Sequence, residues 1–107
     1  MNEDRLIVLC TVPDGETAAA IAARLVKDSL AACVNILPAV TSVYVWDGEV
    51  QNDAEQLLVI KTRSGVFQAL EKAVLELHPY ELPEIIAVPI QYGLSGYLTW
   101  IDQTTGS

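Results

Sequence analysis

The sequence predicts an α+β domain built as βαββαβ, a four-stranded antiparallel sheet with both helices on one face. Two observations carry this expectation. Four apolar runs of strand chemistry alternate with two amphipathic stretches in the order a split βαβ unit requires. In addition, the 107 residues, 51% apolar and 19% charged, suit a single domain over residues 1–107 that folds without a disulfide or a structural metal. No repeat, low-complexity tract or Gly/Ser-rich linker divides it.

The first strand is "LIVLCTV", Leu6 to Val12, a continuous aliphatic and β-branched run of the kind found centrally in a sheet. From Asp14, "DGETAAAIAARLVKDSL" supplies an N-cap, a Glu in the first turn, and Ala18, Ile21, Ala22, Leu25 and Val26 along one helical face. Ala31 to Trp46 returns to strand chemistry but contains Pro38, which cannot donate to a ladder and so calls for an edge position or a bulge. "DGE" at Asp47 to Glu49 is a hairpin turn, because Asp and Gly accept the positive φ of tight turns. The returning strand runs through "EQLLVIKT", Glu55 to Thr62.

Ser64 is the expected cap of the second helix, whose Val66, Leu70, Ala73 and Leu77 recur at helical spacing. That helix ends at His78, since Pro79 disfavours helical geometry in the residue before it. "EIIAVPI" is the fourth strand, placed at an edge by Pro89, and "SGYLTWI" closes the chain as a short aromatic helix or turn. The whole is ferredoxin-like. Strands of a dozen residues on each side of "DGE" span roughly 40 Å at ~3.3 Å per residue, well beyond a globule of this length with a radius of gyration of about 13 Å. A projecting apolar hairpin needs a partner, so self-assembly is expected.

Fourteen carboxylates against six Lys and Arg give a net charge of −8, which disfavours nucleic acid and anionic lipid and suits cations or basic partners. Cys10 and Cys33 lack CxxC spacing and sit in apolar runs, as buried reduced thiols of a cytoplasmic protein do. The acidic start "MNEDR" and the short apolar run after it predict neither an export signal nor a membrane span.

The densest chemistry lies in "HPYELPEI", which holds the only histidine, His78. A lone imidazole at a helix end is more often a hydrogen-bonding group than a metal ligand. Tyr80, Glu81 and Glu84 form an acid/base cluster if buried and a Pro-stiffened solvated loop if not. No nucleophile, phosphate-binding or paired-ligand motif accompanies them, so no enzymatic activity is expected. Trp46, Tyr97 and Trp100 read as packing or interface aromatics. Lys61 faces outward or pairs with a carboxylate, for which Glu55 and Glu84 are candidates.

Taken together, "LCTVPD", "LAACVNILPAVTSVYVWDGEV", "EQLLVIKT", "HPYELPEIIAVPI" and "YLTWI" closely resemble the CutA family of divalent cation tolerance proteins, over about Leu6 to Ile101. The resemblance implies a homotrimer of PII-like architecture, with hairpins reaching across subunit boundaries. It also implies copper, associated in bacterial members with the cysteine of "LCT" and histidines just before "PY", which fall here on Cys10 and His78. Leu77 precedes His78, so the chain supplies one imidazole and not two. Further family blocks place Cys33, Trp46, Glu55, Lys61, Tyr80, Glu84 and Trp100 near intersubunit clefts.

The leading expectation is therefore a non-enzymatic cytoplasmic homotrimer that binds divalent metal, copper first, with magnesium and calcium weaker. A PII-like regulatory or scaffolding trimer that binds a small molecule or protein partner is the second, and an enzyme using Tyr80, Glu81 and Glu84 the third.

Overall fold

A computed structural model of the chain describes residues 3–106, so Met1 and Asn2 of the acidic start lie outside the described residues. The elements are β1 (Arg5–Val12), α1 (Gly15–Lys27), β2 (Cys33–Trp46), β3 (Glu49–Arg63), a single 3-10 turn (Ser64–Val66), α2 (Phe67–Leu77), β4 (Ile86–Pro89) and α3 (Ser95–Thr104). The strands form one antiparallel sheet in the order β2-β3-β1-β4, the βαββαβ arrangement the sequence predicts.

The core follows from the alternation of β1. Leu6, Val8, Cys10 and Val12 point to one face, where they meet Leu58 and Ile60 of β3 and the buried stripes Ala18, Ile21 and Leu25 of α1 and Leu70, Ala73 and Val74 of α2. Val8 opposes Ile60 and Cys10 opposes Leu58, so cross-strand pairs and helix stripes close one apolar layer. Arg24 pairs with Asp28 at the end of its own helix and with Glu76 of α2, and the second pair ties the two helices together.

Local chemistry explains most boundaries. Asp14 caps α1 by accepting from the Thr17 N–H at 2.8 Å, and that bond holds its carboxyl below the usual range. Asp47 and Gly48 both take positive φ, at 52° and 77°, as a tight hairpin requires. The register of β2 on β3 slips between Leu37 and Val40, and Ala39 stands there at φ 63°. Pro38 thus sits in a bulge on an edge strand, satisfying both requirements of a strand proline. Pro89 likewise ends β4 on the opposite edge.

Two expectations change. Ser64 does not cap a helix: it opens the 3-10 turn, and neither that turn nor α2 has a side-chain cap. Val26 and Leu77, assigned to apolar faces, are exposed. The closing segment is a ten-residue helix that lies apart from α1 and α2, anchored by Arg5 to Asp102 at 2.6 Å and by Arg63 to the Thr105 carbonyl at 2.7 Å. Arg5 and Arg63 oppose each other on the sheet face turned away from the core, so α3 covers one end of that second face.

The projecting hairpin is present. Only Gln56 to Arg63 of β3 pair with β1, so the arm from Val40 to Glu55 is two-stranded and carries the molecule to 44 Å along its longest axis. Val43, Val45, Trp46 and Val50 are exposed on it.

Candidate functional site

The foot of this arm meets the loop that leaves α2, and the two enclose an open cavity of about 720 Å³. His78 builds the corner. Its backbone N–H closes α2 on the Val74 carbonyl at 2.8 Å, after which the backbone turns extended, as a residue before proline must. The buried ring then makes two bonds: Nε2 donates to the Thr11 carbonyl at 2.8 Å, and Nδ1 accepts from the Tyr80 N–H at 3.2 Å. Because one partner can only accept and the other only donate, the ring is neutral with its proton on Nε2. The imidazole fastens the 79–85 loop to the end of β1.

Tyr80 stacks at a tilt on His78, with ring centres 4.7 Å apart, and its hydroxyl donates to Glu55 Oε2 at 2.7 Å. Burial, reinforced by the Glu55 carboxylate, pushes the Tyr80 phenol well above its usual value. Tyr44 donates in the same way to Asp53, which raises its own phenol. Glu55 is nearly buried, at 6% exposed, whereas Glu81 and Glu84 stand exposed at the rim with Trp46.

Of the residues expected near a cleft, Trp46, Glu55, Tyr80 and Glu84 come together here. Cys33, Lys61 and Trp100 do not. Cys33 and Lys61 are cross-strand neighbours elsewhere on the sheet, with Nζ 4.0 Å from Sγ, and Lys61 donates to Asn35. Among the described residues Lys61 has no carboxylate partner, so neither Glu55 nor Glu84 fills that role. Trp100 packs on Tyr97, whose phenol is raised by burial and by the nearby Cys33. Sequence reading missed Tyr44 and Asp53. Counting pairs outward from the turn sets Tyr44 against Gln51 and Ser42 against Asp53, which leaves Tyr44 and Asp53 diagonal neighbours within reach of a long side chain.

Cys10, one residue from the His78 anchor, is fully buried in the core. Its thiol is pushed up to about 12, first by burial and then by Glu84 and Glu55. The neutral form is therefore the stable one: its contribution is complete below the ordinary value of 9.0 and is lost as pH rises toward about 12. Cys10 is expected to resist iodoacetamide in the native protein near pH 8 and to react fully in guanidinium, as read by peptide mass spectrometry. Native labelling at the unfolded rate would contradict this burial.

The described residues contain no group of three His, Cys, Asp or Glu side chains positioned to hold one metal ion. Nor does any described helix have the length and apolarity to cross a membrane.

Comparison with known proteins gives a consistent result. The family model for the CutA1 divalent ion tolerance protein matches residues 6–104. The divalent-cation tolerance protein CutA of Thermus thermophilus is 51% identical over 100 residues, 94% of this chain and 97% of that one. The chloroplastic protein CutA 1 of Oryza sativa is 46% identical over 94% of this chain, which spans only 56% of that relative's length. The solved structure of the Thermus thermophilus protein superposes with a TM-score of 0.94 at 50% identity, over 95% of this chain and 99% of that one. With its strand order, hairpin and "HPYELPE" corner in place, the chain belongs to the CutA1 divalent ion tolerance family.

Proposed function

We propose that the chain acts as a non-enzymatic, cytoplasmic homotrimer of PII-like architecture that binds divalent metal, copper first, and contributes to metal tolerance. Its membership of a family named for divalent ion tolerance supports the cation. The observation that supports the site is that the His78 ring is anchored one residue along the chain from Cys10. His78 bonds the carbonyl of Thr11, the neighbour of Cys10, and the Glu84 and Glu55 carboxylates lie close enough to raise the Cys10 thiol. Imidazole and thiolate suit copper, whereas magnesium and calcium prefer oxygen alone.

These donor types fit copper, and their present engagements set its strength. Nδ1 must release the Tyr80 N–H, and Cys10 must lose a proton that burial holds in place. Binding is therefore modest. Competitive titration should rank copper above magnesium and calcium, with lower copper affinity in both His78→Ala and Cys10→Ser. Unchanged affinity in both variants would remove these residues from the metal site. The trimer rests on a separate observation, the exposed apolar arm together with a second sheet face that α3 covers only at one end.

A further inference from the structure

We propose that Cys33 and Lys61 form a covalent sulfur–nitrogen link under oxidation, one that thiols reverse and that staples the base of the arm within a single chain. Geometry is the first reason. The two residues open the β2 and β3 ladder as a directly opposed pair, and Lys61 Nζ stands 4.0 Å from Cys33 Sγ. Opposed residues of an antiparallel ladder hold their side chains side by side, so thiol and amine remain neighbours without movement of the backbone. Lys61 donates to the neutral amide of Asn35 and among the described residues has no carboxylate partner. Breaking that hydrogen bond lets the amine turn to the sulfur.

What the fold denies an oxidised Cys33 is the second reason. The sequence holds one other thiol, Cys10, which is fully buried and faces the core. Cys33 shares the opposite face with Lys61, so the sheet separates the two thiols and no disulfide within the chain is open to them. The amine of Lys61 is the nucleophile within reach. Cys33 is half-buried, and Tyr97 of α3 lies close enough for the thiol to add to the burial that raises its phenol. The chain thus lays its own α3 against this edge of the second face, and a link within one chain needs only an oxidant as small as hydrogen peroxide to enter.

A peroxide serves as the two-electron oxidant. The Cys33 sulfur attacks a peroxide oxygen: the S–O bond forms, the O–O bond breaks, and a sulfenic acid remains with one water released. Lys61 gives a proton to solvent and its free amine attacks that sulfur: the S–N bond forms, the S–O bond breaks, and hydroxide leaves with a proton as water. Sulfur is oxidised, peroxide is reduced, and the chain loses two hydrogen atoms. A thiol reductant attacks the sulfur and releases Lys61, and a second thiol returns Cys33. Because the two residues stand 28 positions apart, the link closes the whole arm and its turn into one loop, which restricts the unfolded chain.

The test treats the intact protein with hydrogen peroxide near neutral pH and reads whole-chain and peptide masses. Expected are a chain lighter by two hydrogen atoms, a joined peptide pair carrying Cys33 and Lys61, recovery of both peptides with dithiothreitol, and a higher Tm for the linked form. Lys61→Arg keeps the charge and the ladder and should lose the joined pair, while its Cys33 goes on to sulfenic and sulfinic acid. Parent protein unfolded in guanidinium before oxidation should lose the pair too, which ties the link to the fold. The proposal is overturned if the native parent yields only oxidised Cys33 beside an unmodified Lys61, if Cys33 instead joins Cys33 of another chain, or if Cys33 does not react. Neither Cys10 nor His78 takes part, so Cys10→Ser should link as the parent does, and loss of the joined pair in that variant would also overturn the assignment.

Discussion

Given the proposed trimer, a chain carrying Ile86→Asp together with Val88→Asp is expected to run as a monomer where the parent assembles. The reason lies in the sheet's second face. Alternation buries the even positions of β1 beneath α1 and α2, which leaves Ile7 and Leu9 on the other side, in register with Val88 and Ile86 of β4 and with Lys61 and Val59 of β3. In the single chain Ile86 and Val88 are 54% and 52% exposed, and α3 reaches only the Arg5 and Arg63 end of that face. Burying it between subunits removes apolar area worth about 25 cal/mol per Å². Two carboxylates forced into such an interface each cost several kcal/mol, which opposes assembly. Light scattering coupled to gel filtration at micromolar concentration reads the mass directly. A monomeric parent would sink the assembly, and a trimeric double variant would place the interface elsewhere.

What the sequence disclosed and what it withheld divide along one physical line. Features set by local backbone chemistry were legible: the positive-φ turn at Asp47 and Gly48, the bulge and edge demanded by Pro38, the Asp14 cap and the helix stop at His78. Features set by which side chains meet across the fold were not. Lys61 reads as facing outward or pairing with a carboxylate; it lies on the face opposite the buried Ile60 and Thr62, its strand neighbours are Cys33 and Ile7, and Asn35 two positions along β2 receives it. Ser64 has the chemistry of a cap, but the backbone enters a 3-10 turn there and α2 starts three residues later. Within one chain the residues named for intersubunit clefts lie in two regions, Trp46, Glu55, Tyr80 and Glu84 at the cavity and Cys33, Lys61 and Trp100 away from it. Only register joins Tyr44 to Asp53, and only the turn at His78 brings Tyr80 onto Glu55.

His78→Ala is expected to lower stability by about 2–4 kcal/mol and to release the 79–85 loop. At 8% exposed, the ring holds the Thr11 carbonyl and the Tyr80 N–H at once, and truncation leaves both without their partner. Both groups are part-buried, so each left without its partner costs toward the lower end of about 1–3 kcal/mol. Loss of the tilted contact with Tyr80 removes the packing that keeps its hydroxyl on Glu55, so the effect spreads to the cavity wall. Urea denaturation measures the first effect, and limited proteolysis between Pro79 and Ile85 the second. A variant as stable as the parent, with the loop still protected, would show that the helix end and Pro79 suffice to set the corner. The same residue also bears on the proposed copper site, since alanine removes a scaffold and the proposed ligand together. His78→Gln separates them: its amide can still donate toward Thr11 but offers no imidazole nitrogen. If His78 is a ligand, glutamine recovers part of the stability and none of the copper affinity. Recovery of both would mean that His78 serves copper only by holding the loop in place.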